Sequence, residues 1–154
     1  MVEYQVDGWG VGELWLDAGV VVNHDLPRAA MSRGLTPEPV ENELVARVNA
    51  YFCGDVVTFA DVVLDLEWMT PFQRAVADAL REVPYGETVT YGELAALAGY
   101  PNAQRATGTF CAGNRFGLFI PCHRVVAATG LGSYGSLGVE YKRRLLAVEG
   151  HAAF

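Results

Sequence analysis

The sequence of 154 residues lacks several features that would place a protein in a specialised class. No run of apolar residues reaches the roughly 18 that cross a bilayer, so we expect no membrane partner. The residues after Met1 form neither a basic nor an apolar segment, so no secretory signal is predicted. Three cysteines are too few for a disulfide framework, and their odd number leaves at least one thiol free. This usage favours a reducing, cytoplasmic location.

Ligands for a structural metal are also scarce. The three cysteines and three histidines form no Cys-x-x-Cys pair and no histidine pair at ligand spacing, so we expect no metal site. The glycines do not follow a phosphate-binding spacing, and we expect no cofactor. Nothing in the sequence demands more than a monomer.

Basic charge is sparse in one half of the chain. The net charge of −7 argues by itself against nucleic-acid binding, because DNA phosphates attract Lys and Arg. However, residues 1–70 carry 3 basic and 12 acidic side chains, whereas residues 71–154 carry 8 and 6. The second half is therefore slightly basic. With 51% hydrophobic residues, the chain has enough apolar material for a packed core.

The first half combines short strands with one helix. Residues 2–6 and 13–16 are predicted strands, and a turn at residues 17–19 returns the chain into a third strand over residues 20–22. The polar residues 23–39 are predicted as a connection. From Pro39 the apolar residues recur at helical spacing until Gly54. Residues 56–66 could form a strand or an extended linker.

The second half is more regular. Thr70 with Gln73, and Thr90 with Glu93, form capping boxes that predict helices beginning at residues 71 and 91. A third helix is predicted over residues 103–112 and a last one over 139–148. The second and third helices, joined by a short turn, match a helix-turn-helix, the commonest DNA-docking unit. Two packed helices without a DNA role are the alternative.

Cys122 is the strongest candidate for chemistry. It lies in an apolar, β-branched run over residues 118–128 and is followed by His123 and Arg124, which can stabilise a thiolate. Neighbouring residues of a strand face opposite sides, so His123 reaches Cys122 only if the backbone turns or a water relays the proton. No acid nearby in sequence orients this histidine. Cys53 and Cys111 are predicted to be small core residues.

The hexapeptide Ile120-Pro121-Cys122-His123-Arg124-Val125 resembles the active-site signature of the methylated-DNA–protein-cysteine methyltransferases, or 6-O-alkylguanine-DNA alkyltransferases. Other segments follow the family's order and approximate spacing, and the resemblance is strong over residues 70–150. These segments are Thr70-Pro71-Phe72-Gln73, Pro84-Tyr85-Gly86, Thr90-Tyr91, Arg105-Ala106-Thr107-Gly108, Asn114, Gly132-Ser133-Tyr134 and Leu145-Leu146-Ala147-Val148-Glu149-Gly150.

The resemblance implies an α+β fold. A small N-terminal domain, residues 1–69, would hold a short antiparallel sheet and a helix. A mainly helical C-terminal domain, residues 70–154, would hold a winged-helix-like helix-turn-helix. Family members move an alkyl group from the 6-O position of guanine in double-stranded DNA to their own cysteine, once per molecule. The implied partner is therefore duplex DNA that contains this lesion.

The resemblance also assigns roles to single residues. Cys122 is the nucleophile, His123 deprotonates it through a water, and Glu149 orients His123. Asn114 supports the turn that holds the active-site segment against the recognition helix. Tyr91 contacts the target phosphate and can donate a proton to the departing guanine.

Further implied residues bind the DNA and the flipped base. On the recognition helix, Arg105 enters the base stack, while Ala106 and Gly108 permit close approach in the minor groove. Tyr134 contacts the flipped base, and a loop over residues 130–138 closes over it. The implied substrate pocket comprises Tyr134, Ser133, Gly135 and Gly117.

Three positions depart from the family pattern. Arg115 stands where a proline usually follows the asparagine, and Ser136 stands where glycine is frequent. Gly117 occupies a place where some members have a proline ring against the alkyl group. We therefore expect bulky benzyl lesions to be handled less well than methyl lesions.

Two other classes of function fit parts of the sequence. A non-catalytic helix-turn-helix module, or a sensor of alkylation damage, would leave Cys122 and Glu149 unexplained. A cysteine hydrolase would need an oxyanion hole and would turn over. The run Lys142-Arg143-Arg144 is expected to be a solvated helix face.

Overall fold

The computed structural model describes residues 1–29 and 42–151. Its first element is an antiparallel sheet of three strands in the order β1 (Val2–Val6), β2 (Gly10–Asp17) and β3 (Val20–Arg28). Gly19, with a φ of +83°, turns the chain between β2 and β3, in the left-handed region that favours glycine. The predicted hairpin is therefore confirmed.

Both later strands are longer than the sequence predicts. β3 continues to Arg28, so the connection predicted to start at residue 23 was wrong there. Polar residues such as His24 made this part of β3 resemble a loop in sequence. In the structure His24 is buried, because its two ring nitrogens form hydrogen bonds inside the protein. The remainder of that connection, and the predicted helix start at Pro39, lie outside the described residues.

One helix and an extended segment complete the first half. Helix α1 (Glu43–Phe52) begins after Asn42, whose side chain accepts hydrogen bonds from two backbone amides of the first turn. Residues 56–66 form a linker beside β3, where the backbone of Val21 bonds to that of Val63 and Asp65. The linker reading of this segment is thus correct.

The described part of the second half contains four α-helices. α2 (Pro71–Arg81) and α3 (Tyr91–Leu97) both begin with the predicted capping boxes, and α4 (Gln104–Ala112) packs against α3 as the expected helix pair. α5 (Val139–Val148) has the predicted bounds. The winged-helix-like detail stays a prediction.

The segment around Cys122 is not a continuous strand. Leu118 has a φ of +68°, and Cys122–Arg124 form a single 3-10 turn. Only β5 (Val125–Val126) is extended, and it pairs in parallel with β4 (Val89–Thr90) just before α3. This short parallel pair places the start of α3 beside the Cys122 turn.

The buried core joins both halves of the sequence. One apolar cluster contains residues from all three N-terminal strands, from α1 and from the C-terminal helices, including Leu14, Tyr51, Leu80, Ile120 and Leu145. The domain boundary at residue 70 stays a prediction. Within the described ranges, no helix is long and apolar enough to cross a bilayer.

Candidate active site

Cys122 is held at the start of the 3-10 turn. Its amide bonds to the carbonyl of Ile120 at 2.8 Å, and the Arg124 amide bonds to that of Pro121 at 2.9 Å. Asn114 fixes the same segment: its side-chain amide donates to the carbonyl of Ile120 at 2.8 Å and to the Cys122 Sγ at 3.2 Å. The backbone does turn at this place, which is one of the two alternatives that the sequence left open for Cys122 and His123.

His123, the residue after the cysteine, contacts Glu149. His123 Nε2 lies 2.5 Å from Glu149 Oε2, and both side chains are fully buried. Glu149 is the residue that follows α5, so the end of this helix delivers the acid that the local sequence around Cys122 lacks. The pairing implied by the family resemblance is present in the fold.

Several donors hold Glu149 as a carboxylate. Arg124 donates from Nε at 2.9 Å, the Gly86 amide donates at 2.9 Å, and the Tyr51 hydroxyl donates at 2.6 Å. Burial alone would raise the pKa of Glu149, but the hydrogen bonds from His123 and Arg124 and the Arg124 charge hold it well below its usual range. The carboxylate is therefore ionised at neutral pH.

The tautomer of His123 follows from this network. Burial lowers the pKa of His123, and Glu149 opposes this only in part, so the imidazole is neutral at pH 7. Since Glu149 only accepts, the His123 proton resides on Nε2. The other nitrogen, Nδ1, is buried, carries a lone pair and has no hydrogen-bond partner among the described residues. It is free to act as a base.

The resting Cys122 is a protonated thiol. Burial raises its pKa well above the usual value, and the adjoining Cys111 thiol raises it further, whereas Asn114 and Lys142 lower it. The half-buried Cys111 packs against the core and also lines the cavity of Cys122, whereas Cys53 is exposed. The prediction of a core residue was therefore wrong for Cys53, because it lies beyond the last turn of α1.

Lys142, the only lysine of the chain, is buried, which the sequence analysis missed. Its ammonium donates to the carbonyls of Val125 at 2.5 Å and Ser133 at 3.1 Å and lies 5.7 Å from the Tyr91 ring. Burial lowers its pKa to about 8. The solvated-face prediction was therefore wrong for Lys142. The prediction of a solvated face is correct for Arg143 and Arg144, and the exposed Arg144 also stacks on Trp9.

Tyr91 occupies the first position of α3, half-buried between two glycines. A β-carbon at Gly132 would lie 3.0 Å from its hydroxyl, and one at Gly108 would lie 3.9 Å from its ring. Gly132 also has a φ of +75°, so a side chain there would be strained as well as crowded. The loop after β5 thus reaches Tyr91 only because residue 132 is glycine.

A cavity of about 120 Å³ opens at the Cys122 thiol. Tyr134, Gly135 and Gly117 line it as the resemblance implies, and Asn114 and Cys111 lie among them. The exposed Ser133 is not among the lining residues. Ser136 and Leu137 belong to the loop over residues 130–138 that the resemblance places over the base. The sequence did not predict the other members of the wall, which come from β3 and the end of α4: His24, Asp25, Leu26, Arg28 and Ala112.

The DNA-contact candidates lie outside this cavity. Arg105 and Ala106 are exposed on α4, and Gly108 is partly exposed. Arg115, the residue that replaces the usual proline, is exposed and stacks on the Trp68 ring at 4.1 Å. No group of three or more His, Cys, Asp or Glu that could hold a metal occurs in the described part of the chain.

Comparison with known proteins decides the family. A family model described as the 6-O-methylguanine DNA methyltransferase, DNA binding domain, matches residues 71–151. The chain belongs to this family. A methylated-DNA–protein-cysteine methyltransferase of Mycobacterium tuberculosis is 46% identical over 116 residues, which cover 74% of this chain and 68% of that relative. One of Methanosarcina acetivorans is 46% identical over 117 residues, covering 72% and 73%.

Solved methyltransferase structures share the fold. The crystal structure of Mycobacterium tuberculosis OGT in complex with DNA is 38% identical with a TM-score of 0.80, covering 96% of this chain and 90% of that chain. The O6-methylguanine-DNA methyltransferase of Pyrococcus kodakaraensis is 27% identical with a TM-score of 0.71, covering 97% of each chain. The predicted α+β class is confirmed.

Proposed function

We propose that this methyltransferase-family protein repairs DNA by moving a methyl or other alkyl group from the 6-O position of guanine to Cys122. The carrying observation is that Cys122, which lines the cavity and accepts a hydrogen bond from Asn114, is followed directly in the chain by a neutral His123 bonded to Glu149. The protein needs no cofactor for this step, because the thiol itself is the acceptor. It acts as a monomer in the cytoplasm.

The transfer is a single displacement. A water carries the Cys122 proton to His123 Nδ1, and Glu149 stabilises the imidazolium that forms. The thiolate then attacks the alkyl carbon, a carbon–sulfur bond forms, and the carbon–oxygen bond to guanine breaks. Tyr91 donates a proton to the departing guanine and regains one from solvent, and the imidazolium of His123 releases its proton to solvent. The thioether product carries no leaving group that water can displace, so each molecule reacts once.

Burial of the resting thiol suits this chemistry. A permanently ionised thiolate would be open to oxidation and to stray electrophiles. Here the raised pKa of Cys122 keeps the sulfur protonated until a substrate fills the cavity. The base is held ready by Glu149, so activation requires only a short proton transfer.

The DNA-facing surface is the exposed side of α4. A base inside a duplex cannot reach a buried thiol, so the lesion must rotate out of the stack. Arg105 fills the space that the base vacates, and the small residues Ala106 and Gly108 allow the helix to approach the minor groove. Tyr91 contacts the target phosphate. Tyr134, Gly135 and Gly117 form the receiving pocket, and Ser133 lies next to Tyr134 in the loop that would close over the base.

Intact-mass measurement after incubation with 6-O-methylguanine duplex DNA tests the proposal. We expect one gain of about 14 Da, a CH2 unit, mapped by peptide analysis to Cys122 and absent in Cys122→Ser. Cys53→Ser is the matched control and should react as the wild type does. Binding without a mass gain would instead favour a damage sensor, and repeated turnover of an ester would favour a hydrolase.

A further inference from the structure

The wall of the Cys122 cavity includes a part of the chain that the proposed reaction does not use. Strand β3 of the N-terminal sheet contributes His24 and Leu26 to the lining that also includes Tyr134 and Cys122. The acceptor, the base and the DNA-facing helix all lie after residue 70. The N-terminal sheet therefore contributes to the shape of the alkyl pocket as well as to the core.

Leu26 fills the space beside Gly117. A β-carbon built on Gly117 would lie 2.7 Å from Leu26 Cγ, 2.9 Å from Cδ1 and 3.1 Å from Cδ2. These distances are shorter than carbon atoms tolerate, so the isobutyl group occupies the place that a side chain at residue 117 would take. Leu26 is 4% exposed and packs in the common core. The absence of a side chain at residue 117 thus leaves no open space.

The strand that bears Leu26 is fixed to the Gly117 loop. Two residues before Leu26, His24 donates from its amide to the Arg115 carbonyl at 2.7 Å and from Nδ1 to the Gly117 carbonyl at 2.6 Å. Its Nε2 accepts from the Tyr4 hydroxyl at 2.5 Å. These bonds of His24 hold β3 against the Gly117 loop on one side and against Tyr4 of β1 on the other. The backbone at Leu26 therefore cannot move away when a larger group enters the cavity.

We propose that Leu26 is a specificity-determining residue that limits the size of the alkyl group Cys122 can accept. The inference rests on the proposed alkyl transfer. A methyl group fits a cavity of about 120 Å³ beside the thiol. A benzyl group adds a six-carbon ring to this space, and Leu26 is an apolar side chain of the wall that is carried by a hydrogen-bonded strand.

The test compares two labelling rates in each variant, with duplex DNA carrying 6-O-methylguanine or 6-O-benzylguanine. In Leu26→Ala we expect the benzyl-to-methyl rate ratio to rise by about tenfold or more, since a few methylene groups in an apolar pocket discriminate by that much. Leu26→Phe should lower the ratio. Using a ratio removes the effect of a reduced folded fraction, which enters both rates equally.

Leu14→Ala is the matched control, because Leu14 is a fully buried leucine of the same sheet that does not line the cavity. It should destabilise the protein without changing the ratio. If Leu26→Ala does not fold, Leu26→Val makes the same test with a smaller expected rise. A second check is Gly117→Ala. Alone it should slow alkyl transfer and destabilise the protein, because the new β-carbon meets Leu26, whereas in the double variant with Leu26→Ala both effects should be smaller.

The outcomes separate this inference from the proposed function. An unchanged ratio in Leu26→Ala, Leu26→Val and Leu14→Ala alike would overturn the role of Leu26 while leaving alkyl transfer intact. A wild type that gains no mass from either DNA would overturn alkyl transfer itself.

Discussion

His123 and Glu149, 26 positions apart in the chain, share a hydrogen bond of 2.5 Å at a point where neither side chain is exposed. The carboxylate also accepts from Tyr51, Arg124 and the Gly86 amide. One side chain thus orients the base and joins α1, α5 and the turn after α2. Function and stability depend on it together.

Removing the charge of Glu149 should therefore damage both properties. In Glu149→Gln, the partly buried Arg124 loses its counter-ion, and we expect a loss of about 3 kcal/mol in the free energy of unfolding. Alkyl transfer should slow by about 100-fold, because the imidazolium loses its partner. Denaturant titration and single-turnover labelling measure the two effects. Glu140→Gln, which breaks an exposed pair with Arg143, should cost below about 1 kcal/mol.

We expect Lys142 to stabilise the loop over residues 130–138, which lies at the pocket, through its hydrogen bonds rather than through its contribution to net charge. Lys142→Met keeps the length of the side chain but removes the donors to the carbonyls of Val125 and Ser133. We expect a loss of about 2 kcal/mol and slower transfer, because the buried Val125 carbonyl loses its partner and the loop that carries Ser133 and Tyr134 loses its bond to α5. Equal loss in the control Arg143→Met, at an exposed position of the same helix, would contradict this reading.

Stability should fall as the pH is lowered below neutral, partly through His24. Burial lowers the pKa of His24 to about 4, with Gly117 and Asp25 opposing in part. The unfolded chain takes up this proton near pH 6.5, whereas the folded protein does so only near pH 4. The stabilisation, on the order of 3 kcal/mol, is present above pH 6.5 and is lost as the pH falls towards 4.

Urea titrations between pH 7.5 and 4.5 measure this loss. The buried, neutral His123 and the ionised Glu149 contribute in the same direction, because the pKa of each is also lowered in the folded state. In His24→Gln the slope between about pH 6.5 and pH 4 should become shallower. An identical slope in the variant would show that His24 does not titrate as its burial requires.

The three thiols should differ in reactivity towards small electrophiles. Cys53 is exposed, Cys111 is half-buried and Cys122 is buried with a raised pKa. Iodoacetamide should label Cys53 first and Cys122 last in the folded protein, whereas methylated DNA should modify Cys122 alone. Peptide mapping over time gives the order. Preferential iodoacetamide labelling of Cys122 would show that its thiol ionises without a substrate.

DNA affinity should depend only weakly on salt. The half of the chain that carries the exposed Arg105 has a small excess of basic residues, so few phosphates can be neutralised. We expect a log-affinity against log-salt slope well below the value of about 9 that ten phosphate contacts give. Arg105→Ala should weaken binding to lesion DNA. A slope near 9 would mean that the DNA contacts extend far beyond α4.

The sequence predicted local structure well where short-range hydrogen bonds decide it. The capping boxes at Thr70 and Thr90 specify where α2 and α3 begin, because each pairs groups only three residues apart. The bounds of α5 likewise follow from its glycine flanks. The candidate nucleophile Cys122 could be singled out from its neighbours, and the acid Glu149 only from the family resemblance.

Tertiary structure decided what distant parts of the chain do to one another. Tyr51 bonds to Glu149 across 98 positions, and His24 bonds to Gly117 across 93. The basic run around Lys142 predicts a surface charge, yet the side chain is buried and donates to the carbonyls of Val125 and Ser133. Sequence patterns predict where a helix or strand begins and ends, because those bounds depend on residues that are close in the chain. The wall that Leu26 adds to the Cys122 cavity depends instead on how the N-terminal sheet packs, and that packing is specified by no local signal.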